Sequence, residues 1–131
     1  MDESNIRPVN ARLFWKSLVV QAAVLAVPFA LLALTLDRSF FEDWGWLSGP
    51  IVWLLASLVT ARVLSLPVAY TLFSAAAGGV VGALVFLAAS HAAGMVAGLL
   101  VFAASCGSYD PDAEAQARRE WEAERAAKAE P

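Results

Sequence analysis

The side chains able to do chemistry are few and far apart. His91 is the only histidine, and an unperturbed pKa of about 6.5 suits it to a proton-linked step around neutral pH. As a metal or haem ligand it lacks a companion, and its plain reading is a polar residue ending a helix at a membrane surface. Cys106 is the only cysteine, which excludes an internal disulfide, a CxxC redox pair and a zinc site. It reads as a small apolar filler, with palmitoylation or redox chemistry as the alternative. Arg62 interrupts a long uncharged stretch. Snorkelling to the headgroups is the ordinary explanation, and binding of an anion or lipid phosphate from a cavity is the sharper one. Gln21 is the only strongly polar residue in the first uncharged block, and a hydrogen bond to a neighbouring helix is its expected use. Asp37, Arg38, Glu42 and Asp43 make no spaced acid–base pair, and no nucleophile has a base beside it. No catalytic residue, cofactor site or metal site is therefore predicted.

The elements that hold these residues follow from composition. Of 131 residues, 60% are hydrophobic and 16% charged, against roughly 45–50% and about 25% in soluble domains. So small a soluble fold cannot hide that excess, and long uncharged blocks make lipid the expected solvent. A net charge of −3 gives no reason to bind nucleic acid.

The first block, 17–36, is long enough as a helix to cross a hydrocarbon core of about 30 Å. Arg12 and Lys16 precede it as they would a signal peptide. The apolar run is too long for one, however, and Ala33-Leu34-Thr35 is a poor cleavage site, so a retained anchor is expected, kinked at Pro28. A second span is expected over 47–66, with Pro50 in its first turn, Arg62 near its end and a short turn near Ser65. From Val63 to Tyr109 there are 47 residues without Asp, Glu, Lys or Arg, roughly twice what one crossing needs. The chain must turn back once, and Ser90-His91 is the most polar pair available. Spans over 67–89 and 91–107 result, the last closed by Gly107 as a left-handed C-cap. The predicted fold is thus all-α: an N-terminal segment (1–16), a four-span membrane domain of two antiparallel hairpins (17–108), and a charged tail (109–131). Asp37-Arg38 and Glu42-Asp43 are expected in a hydrated loop.

With four spans, Arg7, Arg12, Lys16, Arg62, Arg118, Arg119, Arg125 and Lys128 fall on one side and Arg38 alone on the other. The positive-inside rule then places both termini in the cytoplasm. Trp15 and Tyr109 are the expected anchors at the inner interface, and Trp44 and Trp46 at the outer one. In the tail, Asp110-Pro111 starts a helix, and Glu114/Arg118 and Glu124/Lys128 are favourable pairs. Ala113, Ala117 and Trp121 share a face that would dip into headgroups or grip a partner. Arginine outnumbers lysine and alanine is abundant, which suits a bacterial plasma membrane.

The most specific pattern is a pair of small-residue stripes. Ala75, Gly78, Gly79 and Gly82 share one helix face, as do Gly94, Ala97 and Gly98 in the following span, and each set contains G-x-x-x-G. Folding at Ser90-His91 brings Gly82 and Gly98 to similar depth, so an internal hairpin is expected, with a second protein or second copy as the alternative. In its size and four short spans the chain resembles the small multidrug transporters. That family couples protons through a glutamate in its first span, where this chain has Gln21. The expected function is non-catalytic: an accessory or structural membrane subunit whose partners are the bilayer and either itself or another membrane protein. A small oligomeric transporter or channel for an unidentified solute is the alternative.

Overall fold

Uncharged blocks separated by turn residues fold as helices. The computed structural model describes residues 8–130 and contains α1 (Ala11–Thr35), α2 (Arg38–Val63), α3 (Val68–Ala88), α4 (His91–Gly107) and α5 (Pro111–Ala129), with no strand among the described residues. Each start has a local cause. The Asn10 side chain accepts from Leu13 N–H, Ser90 from Ala93 N–H, and Asp110 from Asp112 and Ala113 N–H, satisfying amides that a helix start leaves open. Pro111 sits at the first turn of α5, where its missing N–H removes no bond.

α1, α2 and α3 are long and apolar enough to cross a membrane, and α4, at 17 residues, makes a fourth candidate span only when taken with α5. The protein therefore has three to four candidate spans. α4 and α5 are bent by 62° at the break between them.

Several boundaries depart from expectation. α2 begins at Arg38, so the expected loop over Asp37–Asp43 is helical apart from its first residue. Charge alone does not break a helix, and here Arg38 Nε pairs with Glu42 at 3.2 Å, one turn on. Pro50 consequently lies inside α2 instead of in its first turn, just as Pro28 lies inside α1. α2 stops at Val63, short of the expected 66, in a glycine-type terminator built without glycine. Ser65 takes a left-handed φ of 54°, Leu66 N–H bonds to Ala61 O and Ser65 N–H to Arg62 O. Pro67 then precedes α3. Gly107 is not a left-handed cap. No described glycine has positive φ, and Gly107 ends α4 in helical conformation. Its lack of a side chain serves close approach, because a methyl group there would lie 2.8 Å from Val9 Cγ1 and 3.2 Å from Phe14 Cβ.

α1 packs on α2 and α4, and α3 packs on the same two, so the four helices close a ring of contacts that α5 does not join. Asn10 N–H donates to Gly107 O at 2.8 Å, which brings the start of α1 to the end of α4. Leu66, from the α2–α3 turn, belongs to the same cluster as Phe102, Cys106, Leu13 and Tyr109. This is the near end. The far end carries the α1–α2 and α3–α4 links.

Candidate functional site: a buried polar cluster

The interior of the near half is unusually polar. Ser17, Gln21, Ser57, Thr60, Thr71 and Ser74 are all completely buried, alongside Ala75, Phe102, Ala103 and Cys106. Three helices contribute these six residues as pairs spaced three or four apart: Ser17/Gln21 on α1, Ser57/Thr60 on α2 and Thr71/Ser74 on α3. That spacing puts both members of each pair on one face. α4 adds the neighbours Ser105 and Cys106.

Two hydrogen-bond groups result. Between α1 and α2, Gln21 Nε2 donates to Ser57 Oγ at 3.1 Å, and Thr60 Oγ1 donates to Gln21 Oε1 at 2.6 Å. Ser57 Oγ donates in turn to Trp53 O one turn back, and the single Thr60 hydroxyl proton has Ala56 O, at 3.0 Å, as its second acceptor. Between α3 and α4, Ser74 Oγ lies 2.8 Å from Ser105 Oγ, and Tyr70 OH donates to Ser105 O at 2.6 Å. Across α2 and α3, Trp53 Nε1–H donates to Ala75 O at 2.8 Å. Cys106 joins the groups, with the Ser74 and Ser17 hydroxyls beside its thiol. Ser17 Oγ has no hydrogen-bond partner of ordinary geometry, and the weakly polar thiol is the group it meets.

A buried hydroxyl or amide left without a partner costs about 1–3 kcal/mol, so the dense bonding is what makes this interior tolerable. The cluster contains no carboxylate, ammonium, guanidinium or imidazole group. Among the described residues no group of three or more His, Cys, Asp or Glu is placed to hold a metal ion. What the arrangement can do chemically is donate and accept hydrogen bonds across helices.

The remaining sequence candidates are scattered. Arg62 is exposed in the last turn of α2. His91 is exposed at the first position of α4, its ring edge-on to Phe86 with 5.6 Å between centroids. Neither adjoins the polar cluster. Trp15, Trp44 and Trp46 are exposed, Trp46 by 74%. Tyr109 stacks at a tilt on Tyr70, with 5.0 Å between centroids, and donates its OH to Glu114 Oε2 at 2.8 Å.

The small residues do not act as one set. A methyl on Gly78 would sit 2.6 Å from Gly98 O, one on Gly82 2.9 Å from Gly94 O, and one on Gly94 2.6 Å from Gly82 O. These glycines, with Gly98, mark where the backbones of α3 and α4 approach most closely. Gly79 points elsewhere, 3.7 Å from the Trp53 indole nitrogen of α2. Ala75 is fully buried and accepts the Trp53 bond, whereas Ala97 is only half-buried.

Of the polar cluster, only Gln21 stands out in the sequence as a polar candidate, and Cys106 reads there as filler. The usable signal was recurrence: small hydroxyl residues paired at helical spacing near one end of successive apolar blocks. No family model matches the chain, and neither a curated protein nor a solved structure shows significant similarity to it.

Proposed function

We propose that this is a small four-span membrane protein of non-catalytic type, acting as an accessory or structural subunit in a larger membrane assembly. One observation carries the reading: the buried polar side chains are all uncharged and, Ser17 apart, all hydrogen-bonded within the protein, while many large apolar side chains face outward. Leu34 is 84% exposed, Leu87 79% and Phe73 70%. An exterior of that kind suits lipid or another helix, and an interior that satisfies itself leaves little to act on a substrate. On this reading α1–α2 and α3–α4 are antiparallel hairpins, α4 is a short fourth span, and the basic near end faces the cytoplasm of a bacterial plasma membrane. The α3–α4 pair is held by the G-x-x-x-G stripes.

The test is extraction of tagged protein from its native membrane in mild detergent, with the mass of the recovered complex measured. Recovery with one partner at fixed stoichiometry supports the subunit role. Recovery as a pure homo-oligomer points to the second reading, a small oligomeric transporter, which the buried Ser17 hydroxyl, without a hydrogen bond on the α1 face it shares with Gln21, favours. Solute flux in proteoliposomes that disappears in Gln21→Leu or Arg62→Ala would establish transport and overturn the subunit reading.

A further inference from the structure

α5 packs on none of the other helices, and a side-chain hydrogen bond at its start orients it. Tyr109, at the end of α4, stacks on Tyr70 of α3 and donates to Glu114, so the face of α5 that carries Glu114 looks back toward the bundle. At 3.6 residues per turn, Glu114, Arg118, Trp121, Arg125 and Lys128 recur at alternating spacings of four and three and fall within roughly 80° of arc. Three of the four basic residues of α5 and its only tryptophan therefore share the face that looks back. Arg125 lies over the Trp121 ring, 4.6 Å from its centroid, and Trp121 is 56% exposed. Arg119 and the carboxylates Asp112, Glu120 and Glu130 lie on other faces, and Glu122 and Glu124 flank the arc about 40° beyond its two edges.

We propose that α5 is a membrane-surface helix that docks this face on anionic lipid headgroups, with Trp121 among the headgroups and Arg118, Arg125 and Lys128 on phosphate oxygens. The proposal rests on the membrane reading of the bundle. The 62° bend after α4 is compatible with it: if α4 stands across the bilayer, α5 leaves at about 28° to the membrane plane, so its first turns stay closer to the headgroups than a straight continuation would. Charge complementarity supports it. Within the arc Glu114 alone offsets the three cations, which leaves a net charge of about +2, while Glu122 and Glu124 flank the arc equally on its two sides. The Tyr109–Glu114 bond acts as a latch that sets the roll, and the long cationic side chains reach the phosphates past their own apolar stems.

The experiment uses the full chain in nanodiscs of phosphatidylcholine, with and without added phosphatidylglycerol. In a Cys106→Ser background, or Cys106→Ala if serine is not tolerated, spin labels are placed singly at Ala117→Cys beside the basic face, Ala126→Cys on the opposite face, and Val27→Cys on the exposed side of the middle of α1. Accessibility to oxygen and to a water-soluble nickel complex is measured at each. With phosphatidylglycerol present, the label at 117 should be shielded from nickel but open to oxygen, and the label at 126 open to nickel. Omitting the anionic lipid, or changing Arg118, Arg125 and Lys128 together to Gln, should shift the docked-to-undocked ratio roughly fivefold per net charge lost. Labels at 117 and 126 equally open to nickel in both bilayers, with 27 in hydrocarbon, would overturn the docking while leaving the bundle in the membrane. Shielding of 117 from oxygen and nickel alike, whatever the lipid, would assign the face to a protein and also overturn it. A label at 27 open to nickel would remove the membrane reading and the proposal together.

Discussion

The two halves of the four-helix ring are held by different means. Near the chain ends, side chains meet side chains: Gln21 joins Ser57 and Thr60, and Ser74 joins Ser105. Toward the far end backbone meets backbone, with Gly82 and Gly94 so close that neither has room for a methyl group. In lipid, where apolar burial between helices gains little, these are the two remaining sources of helix–helix adhesion: interhelical hydrogen bonds and close packing of small residues. They should fail differently. Hydrogen bonds can be removed one at a time at modest cost, whereas a clash with backbone has no side chain that can move aside.

Gly78 and Gly79 provide the strongest test, because neighbours in sequence fall on opposite sides of that distinction. Gly78→Ala places a methyl 2.6 Å from the Gly98 carbonyl oxygen, and α3 and α4 must separate to admit it. A loss of about 1–3 kcal/mol is expected. Gly79→Ala meets only the Trp53 indole at 3.7 Å, an ordinary contact, and should be neutral or slightly stabilising through helix propensity. Unfolding in mixed micelles by increasing denaturing detergent, followed by circular dichroism, would measure both. Equal losses at the two positions would show that the close approach of α3 and α4 is not what holds this half together.

A smaller effect is expected in the polar half. Gln21→Leu removes both α1–α2 side-chain bonds, but Ser57 and Thr60 keep their backbone acceptors at Trp53 O and Ala56 O. With no hydroxyl orphaned and side-chain volume nearly kept, the loss should be about 1 kcal/mol, in line with single interhelical bonds in membranes. A cycle with Thr60→Val should give a coupling energy of about 0.6–1.7 kcal/mol. Strict additivity would sink the bond.

How much of this could be read beforehand depended on whether one helix or two decide a residue's role. Helix existence and the turn at Ser90 follow from blocks within one segment, and α4 occupies the expected residues. The start of α2 was obscured because Asp37, Arg38, Glu42 and Asp43 fit either a loop or a solvated helical turn, and only the Arg38–Glu42 pairing in space distinguishes them. The stripes were visible as patterns, but a pattern does not say what it faces. Gly79 shares the spacing of Gly78 yet looks toward α2, and Gly107 resembled a cap when its smallness serves the α1 terminus. The serines and threonines of the near half give no signal singly, because each is an ordinary residue in an apolar helix. Their meaning lies in which helices meet.

Ser65 extends the comparison to a turn at the near end, where a side chain sits in a conformation that favours glycine. Its φ of 54° costs an L-residue about 1 kcal/mol or more, and no side-chain hydrogen bond of Ser65 offsets it. Ser65→Gly should therefore raise stability, by up to about 1 kcal/mol after the greater flexibility of the unfolded glycine chain is allowed for. The same micelle titration reports it. Destabilisation would mean that the serine hydroxyl has a role at this turn beyond terminating α2.

The smallest effect concerns the contact that joins the near end to its tail. Tyr109 is held above the ordinary tyrosine range, chiefly because its hydrogen bond to Glu114 requires the phenol proton, with slight burial and the Glu114 charge acting in the same direction. A folded-state pKa above the unfolded one means that the contact contributes fully below the unfolded value of about 10 and is lost as pH rises through the folded value. Neutral and mildly alkaline solutions should leave α5 in place. At higher pH the phenolate can no longer donate and repels the Glu114 carboxylate, so the start of α5 should loosen. Ultraviolet titration in Tyr70→Phe should show Tyr109 ionising later than free tyrosine, and Glu114→Gln should bring it earlier by removing the carboxylate. If Glu114→Gln left the titration unmoved, the latch between the bundle and α5 would have to be sought in the stacking of Tyr109 on Tyr70 and not in the hydrogen bond.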